Sequence, residues 1–459
     1  MGALNRVGLD RVWAVLLLVP PWFVVLIYGA AFVLNLHQPK LFPSPESPPP
    51  ELKIRGRILS ADGKVLATSP RQGERLYPMG ELAGQVIGYT YRAHGRYGEG
   101  LAGVEGDRNV MLGQGNDVVL TLDARVQAIA EEALAHGMER AQARWGAVVV
   151  MAPDGRLLAV ANAPFFDPQS PRGKPEEDPR LKNYAFRYPF EPGSTIKALT
   201  AAVLLETGAV RSGEAIEVPY KRKVGDRWIH DWRWHRPERW TLEEILAHSS
   251  NVGISTLAER VPKTTLFRYF ERLHLFDPEL LQGKLASPQV RPAERWGPVE
   301  YANAVFGQGF AVTAVHLAAA MNALVDGRFY TPRLYAGEPE LSMRVFKKET
   351  AEAVRGMLAR RLSPKARLSG YTLAGKTGTA QIAREGGRGY DPERVVALFG
   401  GFVPGDRPRA TVVVVLYDPQ VPLSERYGSK LAAPVFKEVA AGLIGLWGLP
   451  PDRAKLGGR

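Results

Sequence analysis

A six-residue link, PGDRPR at 404–409, separates two strongly apolar runs near the C-terminus, RVVALFGGFVP and ATVVVVLYDP. Both runs are rich in the β-branched and aromatic residues that favour strands. The link is too short for the crossover that a parallel pair needs, so the two strands are predicted to pair antiparallel. A third strand-like run, YTLAGKTGTAQI, precedes them, and a helix-like segment, APVFKEVAAGLIGLW, follows.

An earlier hairpin supplies the remaining strands of the predicted sheet. The segment GAVVVMAPDGRLLAVANA contains two apolar runs joined through the turn Pro153-Asp154-Gly155. Between this hairpin and the three C-terminal strands, residues 195–340 have a mostly helical pattern, with helix-like runs that end at glycine. The predicted fold class is therefore α+β, with a five-stranded antiparallel sheet flanked by helices.

The N-terminus contains one apolar run, from Val12 to Leu36, without a charged residue. A helix of that length is about 37 Å long, which is enough to cross a bilayer. Arg6 and Arg11 precede the run and predict a cytoplasmic N-terminus. A cleaved signal peptide is the alternative, but the run continues past the small residues at 29–31, which favours a retained anchor.

Composition divides the chain into successive segments. A Pro-rich stretch follows the apolar run, and a small module with its own hairpin signal at Asp62-Gly63 precedes the main domain. We predict a single-pass protein of the cell membrane whose main domain lies outside the cytoplasm. The segments are a cytoplasmic N-terminus (1–11), a transmembrane helix (12–36), a linker (37–50), a small N-terminal domain (51–141), the main domain (142–448) and a flexible tail (449–459).

Charge and cysteine content narrow the function classes. The chain of 459 residues has no cysteine, which excludes disulfides and thiolate metal sites. Its formal net charge is +12, with the basic residues scattered along the chain. No DNA- or RNA-binding motif accompanies that charge, so no nucleic-acid partner is predicted. No metal or organic cofactor is predicted either.

The segment EPGSTIK places Ser194 and Lys197 three residues apart, directly after Pro192-Gly193. The Pro-Gly pair predicts a helix start near Ser194, and this spacing puts both side chains on one face of that helix. An amine there can take the hydroxyl proton only if burial or a nearby cation keeps it neutral. The alternative is a helix-capping serine beside a solvated lysine.

A second motif fits two chemistries. GYTLAGKT at 370–377 matches the phosphate-binding loop pattern, and the apolar strand ending at Asp418 resembles the strand that would hold magnesium. That interpretation needs a buried strand before the loop and a helix beginning at Lys376. The preceding segment is basic, and Gly378 lies where the helix would extend. The other interpretation is a strand edge, Lys376-Thr377-Gly378-Thr379, that faces a nucleophile.

Such a strand edge requires two partners, and the sequence contains both. Ser194 and Lys197 provide a Ser-x-x-Lys helix start, and HSSNVG provides a Ser-x-Asn turn with Ser249 and Asn251. Their chain order is Ser-x-x-Lys, Ser-x-Asn and then Lys-Thr-Gly, as this type of active site needs. The ordered trio predicts that Ser194 attacks a carbonyl group and that Lys197 takes its proton.

At these motifs the chain resembles the penicillin-binding protein and serine β-lactamase superfamily, and most closely a class B penicillin-binding protein. The resemblance extends over nearly the whole chain, because RGRI, DGKVLA, GLAGVE and LTLDARVQ in the segment 55–127 are similar to the N-terminal pedestal signatures of that family. FEPGSTIK, HSSNVGIS and AGKTGTAQ resemble the division-type branch more closely than the elongation-type branch. The resemblance implies a peptidoglycan transpeptidase with a pedestal at 51–141.

The resemblance also implies roles for the motif residues. Ser194 forms the acyl-enzyme, Lys197 is the base, Ser249 relays a proton, and Asn251 holds Lys197 and the donor amide. Lys376 supplies positive potential. The implied partners are stem peptides, β-lactam antibiotics, the membrane and a membrane-embedded glycan polymerase. The implied binding groups are the backbone N–H groups of Ser194 and Thr379 for the oxyanion hole, and Thr377, Gly378 and Thr379 for the substrate.

Two further enzymes and one non-enzyme remain as alternatives: a β-lactamase, a D,D-carboxypeptidase, and a scaffold for a glycan polymerase. The segment 226–240 packs four tryptophans and two histidines together, which fits a glycan-stacking surface, a His230/His235 metal pair or, by preference, a structural hairpin that shields the Ser249 turn. His248 is predicted to end a helix. Glu243 and Glu244 are predicted to be solvated helix residues.

Overall fold

The computed structural model describes residues 54–93, 96–171, 178–384, 386 and 389–452. These residues belong to one compact unit, Lys53–Arg459, and the other unit, Met1–Leu52, lies outside them. The predicted transmembrane helix and linker therefore also lie outside the described residues. Among the residues that are described, no helix is both long enough and apolar enough to cross a membrane.

Short strands and helices alternate along the described chain. The strands are β1 (Ile58–Leu59), β2 (Val65–Ala67), β3 (Thr90–Ala93), β4 (Arg96–Gly100), β5 (Val118–Val119), β6 (Ala143–Met151), β7 (Leu157–Ala163), β8 (Ala215–Val218), β9 (Lys221–Val224), β10 (Arg227–His230), β11 (Glu238–Thr241), β12 (Arg328–Tyr330), β13 (Ser342–Arg344), β14 (Ala374–Ala383), β15 (Tyr390–Val403) and β16 (Ala410–Pro419). The helices are α1 (Gly84–Ile87), α2 (Gly103–Asp107), α3 (Asn109–Gly113), α4 (Ala124–Ala141), α5 (Tyr184–Arg187), α6 (Lys197–Glu206), α7 (Leu242–His248), α8 (Asn251–Ala258), α9 (Lys263–Arg272), α10 (Pro298–Val305), α11 (Ala314–Asn322), α12 (Lys348–Arg360) and α13 (Ala432–Leu446).

The predicted five-stranded antiparallel sheet is confirmed. Its strand order is β14-β15-β16-β6-β7, and every neighbouring pair is antiparallel. The short link after Val403 makes β15 and β16 a hairpin, as its length predicts, because Val403 pairs with Ala410. The sheet therefore ends in an edge strand, β14, which contains Lys376, Thr377, Gly378 and Thr379.

Both faces of this sheet are covered by helices, which explains the continuous valine runs. Val148 and Val150 face one core, formed with α4 and α13, whereas Val149 and Met151 face the other. Most antiparallel strands alternate apolar and polar residues because one face is wet. Burial on both faces instead selects apolar residues at most positions of β6 and β16.

The insert between β7 and β14 contains α5–α12 together with small two-stranded sheets. β9 pairs with β10 and β8 pairs with β11, so the tryptophan-rich segment 226–240 lies across two hairpin-like pairs. The sequence pattern predicts mostly helix in this region, and these short strands are the exception.

The N-terminal part of the described chain has a three-stranded sheet of order β2-β1-β5 and the separate pair β3-β4. The Asp62-Gly63 signal corresponds to the turn between β1 and β2. Asp123 caps α4 by accepting hydrogen bonds from the N–H groups of Arg125 and Val126. α4 then packs on β6, β7 and α13, so it lies against the central sheet.

Candidate active site

Ser194 lies in a tight 3₁₀ turn, Gly193–Ile196, that leads directly into α6 at Lys197. Gly193 has a φ of 51°, a conformation that a side chain would strain. Its N–H donates to the Gly307 carbonyl at 2.9 Å. A Cβ at Gly307 would lie only 2.1 Å from the Gly193 carbonyl oxygen. The two glycines therefore allow the turn that carries Ser194 to pack closely on the 306–309 loop.

Strand β14 packs against the same turn. A Cβ on Gly378 would lie 2.9 Å from Cγ2 of Thr195 and 3.1 Å from Cβ of Leu398. Gly378 therefore brings the backbone of the edge strand close to the turn that carries Ser194. On the other side, a Cβ on Gly428 would lie 2.1 Å from the Gly378 carbonyl oxygen, so the loop after β16 also lies directly against this strand.

The Ser-x-Asn turn joins two helices. α7 ends at His248, Ser249 adopts a left-handed conformation with a φ of 55°, and α8 begins at Asn251. The hydroxyl of Ser250 caps α8 by accepting a hydrogen bond from the N–H of Gly253 at 2.8 Å. This reversal of the chain directs the side chains of Ser249 and Asn251 towards the amine of Lys197.

Lys197 is fully buried, and its amine connects the motifs. Nζ donates to the Ser249 carbonyl at 2.5 Å and to Oδ1 of Asn251 at 2.7 Å, and it lies 3.4 Å from Oγ of Ser249. The ring of Phe306 lies 5.9 Å away and adds to the dry surroundings. Burial and the positive charge of Lys376 hold the pKa of Lys197 well below its usual range, while Asp231 acts in the opposite direction.

Lys376 completes the connection between the strand edge and the turn. Its Nζ donates to Oγ of Ser249 at 2.9 Å and to the Thr377 carbonyl at 3.0 Å. The side chain is almost fully buried, and burial lowers the pKa of Lys376 to about 7. The hydroxyl of Ser249 therefore lies between two buried amines, those of Lys197 and Lys376, and the pKa of each is lowered.

Ser194 is half-buried and lines a cleft of about 1290 Å³. Among the described residues, its hydroxyl has no hydrogen-bond partner, so it is free to meet a substrate. The N–H of Gly428 donates to Oγ1 of Thr379 at 3.1 Å, which orients that hydroxyl. The predicted site residues that line this cleft are Ser194, Ser249, Asn251, Lys376, Thr377, Gly378 and Thr379. Lys197 does not line the cleft; it is buried and contacts two of the lining residues, Ser249 and Asn251.

Asp231 contacts the candidate site although no sequence motif indicates it. Its carboxylate is 4% exposed and lies beneath the Ser-x-Asn turn. Oδ1 accepts from the N–H groups of Asn251 at 2.6 Å and Val252 at 3.0 Å, and Oδ2 accepts from the Ser250 hydroxyl at 2.7 Å. His235 lies 3.0 Å from the same Oδ2. Asp231 therefore holds the turn that positions Ser249 and Asn251.

The other sequence features of this region have structural contacts. His248 ends α7, as predicted, and stacks on Trp240 with centroids 4.4 Å apart. Glu244 forms a capping box with Thr241. Glu243 is not simply solvated, because it pairs with Arg360 at 2.7 Å and Arg361 at 3.3 Å, which ties α7 to α12.

The two alternative interpretations of the sequence motifs lack support in the described chain. Lys376 lies inside strand β14, with no helix beginning there, and Asp418 pairs with Arg394 at 2.9 Å and Arg144 at 3.3 Å. The phosphate-binding interpretation is therefore wrong. His235 contacts Asp231, and no group of three potential metal ligands occurs among the described residues.

The site combines a free hydroxyl, a buried amine of lowered pKa and a second amine beside it. Such a set activates a serine for attack on a carbonyl carbon and offers positive potential to a substrate carboxylate. It is the chemistry of acyl transfer through a serine ester.

Comparison with known proteins agrees with this chemistry. The family model described as penicillin binding protein transpeptidase domain matches residues 146–441. The chain is 31% identical over 421 residues to a Neisseria gonorrhoeae protein named "Probable peptidoglycan D,D-transpeptidase PenA", covering 83% of this chain and 70% of that protein. It is 29% identical over 418 residues to the peptidoglycan D,D-transpeptidase FtsI of Escherichia coli K12, covering 84% of this chain and 69% of that protein.

The fold has a solved counterpart. The crystal structure of penicillin-binding protein 3 from Mycobacterium tuberculosis, complexed with aztreonam, superposes with a TM-score of 0.81 at 28% sequence identity. The superposition covers 87% of this chain and 98% of that structure. The same protein has also been solved with ampicillin, again with a TM-score of 0.81.

Proposed function

Because this chain belongs to the penicillin-binding protein transpeptidase family, we propose that it is a class B, division-type peptidoglycan D,D-transpeptidase that cross-links stem peptides through an acyl-enzyme on Ser194. One observation carries the proposal most directly. The contacts of Lys197 with Ser249 and Asn251, and of Lys376 with Ser249, join the three motifs in one cleft beside Ser194.

The acylation step follows from these contacts. The Ser194 oxygen attacks the carbonyl carbon of the D-alanyl-D-alanine amide while neutral Lys197 takes the hydroxyl proton. Ser249, which contacts both amines, passes a proton to the leaving nitrogen, and D-alanine departs as the C–N bond breaks. Asn251 holds Lys197 and the donor amide. An amine of a second stem then attacks the ester, forms the cross-link and releases Ser194.

The strand edge supplies the binding groups. Lys376 and the hydroxyls of Thr377 and Thr379 receive the terminal carboxylate of the donor, and Gly378 keeps the strand close enough to the nucleophile turn for this. The backbone N–H groups of Ser194 and Thr379 form the oxyanion hole. Loss of one such donor costs about 3–4 kcal/mol of transition-state stabilisation.

β-Lactams acylate the same serine, because their strained amide presents a carbonyl and a nearby anionic group in the arrangement of the donor. The solved relative with aztreonam and ampicillin supports this assignment.

The remaining parts of the chain extend the proposal. Residues 51–141 form the pedestal and 142–448 the transpeptidase domain. Residues 12–36 anchor the chain in the cell membrane, and this places the catalytic cleft outside the cytoplasm, where a membrane-embedded glycan polymerase is its partner. Fractionation tests the anchor: the full chain is expected with the membranes, and a variant lacking residues 1–50 in the soluble fraction.

A cross-linking assay tests the activity. Stem pentapeptides are incubated with the full chain, and products are separated by mass spectrometry, with Ser194→Ala alongside. A dimer formed with loss of D-alanine, absent for the variant, is the expected result. Release of D-alanine without a dimer would instead establish a carboxypeptidase, and no release by either protein would favour the scaffold.

A further inference from the structure

Two exposed indoles stand at the rim of the catalytic cleft. Trp232 is 65% exposed and Trp234 is 68% exposed, and both line the cleft that contains Ser194. Trp228, on strand β10 of the same segment, is 58% exposed but does not line the cleft. Large aromatic surfaces left exposed at the edge of a binding cleft are typical of ligand contact.

The structure holds Trp232 in a defined orientation in spite of its exposure. Its Nε1 donates to the His248 carbonyl at 3.2 Å, and its ring centroid lies 6.1 Å from that of Tyr427, at an angle of 52°. Asp231, the preceding residue, is fixed beneath the Ser-x-Asn turn by its hydrogen bonds. Trp232 therefore presents a preorganised ring, which lowers the entropic cost of binding.

The contacts of Trp232 show at which end of the cleft it lies. Its contact with His248 places it next to Ser249, and Ser249 contacts Lys376. In the proposed reaction, Lys376 marks the end where the carboxylate of the leaving D-alanine lies. The acceptor amine forms its bond where the leaving amine departs, so the acceptor strand enters from this end.

The chemistry of the rim fits a sugar ring that carries an acidic peptide. A hexopyranose has apolar C–H faces that pack on an indole and a polar edge that reaches hydrogen-bonding groups. Arg233, between the two tryptophans, lines the cleft and has no ion-pair partner among the described residues. Its guanidinium is available to a carboxylate of the attached stem.

We propose that Trp232 and Trp234 form a stacking site for an amino-sugar ring of the acceptor strand. This inference rests on the proposed transpeptidase function and adds a glycan contact to it. Binding of the sugar holds the acceptor amine near the acyl-enzyme and favours transfer over hydrolysis.

The test compares two acceptors with the full chain. The donor is a stem pentapeptide with its free amines acetylated. The acceptors are a stem tetrapeptide and the same tetrapeptide carrying its disaccharide of N-acetylated amino sugars. Mass spectrometry gives the ratio of transferred to hydrolysed donor. This ratio depends on the fate of the acyl-enzyme and not on the rate at which it forms.

We expect the disaccharide to raise this ratio about fivefold, the value of one aromatic stacking contact. The double variant Trp232→Ala/Trp234→Ala is expected to lose the preference, and each single variant to reduce it. Trp228→Ala, the matched control outside the cleft, is expected to keep it.

Equal ratios for the two acceptors with the wild type, or an undiminished preference in the double variant, would overturn the sugar site and leave the transpeptidase function intact. Hydrolysis without transfer to either acceptor would overturn the transpeptidase function, and this inference with it.

Discussion

Two charged side chains, those of Lys376 and Asp231, shift the pKa of Lys197 in opposite directions. The positive charge of Lys376 lowers the pKa of Lys197 and adds to the effect of burial, whereas the carboxylate of Asp231 raises it. In the proposed mechanism Lys197 must be neutral to accept the proton of Ser194, so the rate of acylation is expected to rise with pH as this amine loses its proton. The pH dependence of acylation therefore reports on both neighbours.

Lys376→Met removes the neighbouring positive charge. The pKa of Lys197 then rises, so the acid limb of the rate of penicillin acylation is expected at higher pH. The rate above this limb is expected to fall about 10²-fold, because a charge that stabilises the transition state is lost. Stopped-flow fluorescence with a labelled penicillin measures the profile. Lys430→Met, an exposed lysine of the same cleft, is the control, and an unchanged limb in Lys376→Met would contradict the electrostatic account.

Asp231→Asn is expected to shift the acid limb of the acylation rate in the opposite direction to Lys376→Met. It removes the charge that raises the pKa of Lys197, so the acid limb is expected at lower pH. Loss of charge-assisted hydrogen bonds to the Ser-x-Asn turn is expected to lower the plateau rate about tenfold. Asp226→Asn, an exposed carboxylate in the same segment, is expected to change neither property. A plateau loss without a shift of the limb would restrict Asp231 to a purely structural role.

The candidate site could be predicted from the sequence to the extent that its residues fall in spaced motifs. A single helix turn, loop or strand edge explains the spacing of the motif residues Ser194, Lys197, Ser249, Asn251 and Lys376. In the structure four of them line one cleft, and the buried Lys197 contacts Ser249 and Asn251. Asp231 belongs to no such interval, because its partners are backbone N–H groups that the fold alone brings to it. Gly307 also belongs to none of the three motifs. The Gly-Gln-Gly sequence at 307–309 is nevertheless a local sign of a tight loop, and both glycines have a positive φ in the structure.

At the scale of elements, the sheet could be predicted because its strands are long, apolar and joined by turns of recognisable length. The strands β8–β11 could not be predicted in this way, because each has only four residues and several of these residues are polar and exposed. α4 could be predicted as a helix from its cap and periodicity. Its packing on the central sheet depends on tertiary contacts that follow from no local pattern.

Glycines at the crossing of α4 and α13 permit a close approach of the two helices. A Cβ on Gly137 would lie 2.4 Å from Cγ2 of Val435, whereas a Cβ on Gly445 of α13 would meet nothing within 4 Å. Gly445→Ala is expected to stabilise the protein by about 0.5–1 kcal/mol through helix propensity. Gly137→Ala is expected to lower the Tm, since overpacking costs about 1–3 kcal/mol and exceeds that gain.

Thermal unfolding followed by circular dichroism measures both variants. A rise in Tm for Gly137→Ala equal to that for Gly445→Ala would show that the helices do not cross as closely as described.

At the scale of the whole molecule, the N-terminal part contacts the transpeptidase domain through charged and aromatic groups. Asp107 pairs with Lys284 at 3.1 Å and accepts from the Tyr335 hydroxyl at 3.3 Å, and the guanidinium of Arg108 lies 3.9 Å from the centroid of the Tyr335 ring. α2, which carries Asp107, also carries Glu105. A substitution that unfolds this short helix is therefore also expected to break the contacts of Asp107 with the transpeptidase domain.

Glu105 is fully buried and holds two arginines. It contacts Arg75 at 2.6 Å and Arg55 at 2.8 Å, and the Arg75 side chain is also fully buried. Glu105→Ala leaves a buried charge without its partner and is expected to destabilise the protein by about 3–5 kcal/mol. Chemical denaturation measures the change. Glu74→Ala, which breaks an exposed pair with Arg71, is expected to change stability little. Equal losses of unfolding free energy in Glu105→Ala and Glu74→Ala would contradict the claim that burial makes the Glu105 ion pairs important for stability.

The central claim is that Ser194 is the nucleophile of an acyl-transfer site, and intact-mass spectrometry after incubation with a fluorescent penicillin tests it most directly. The full chain is compared with Ser194→Ala, and peptide mapping locates the label. We expect one stable adduct on the peptide that contains Ser194, and none on the variant. An adduct that persists in Ser194→Ala, or that maps to another residue, would contradict the account.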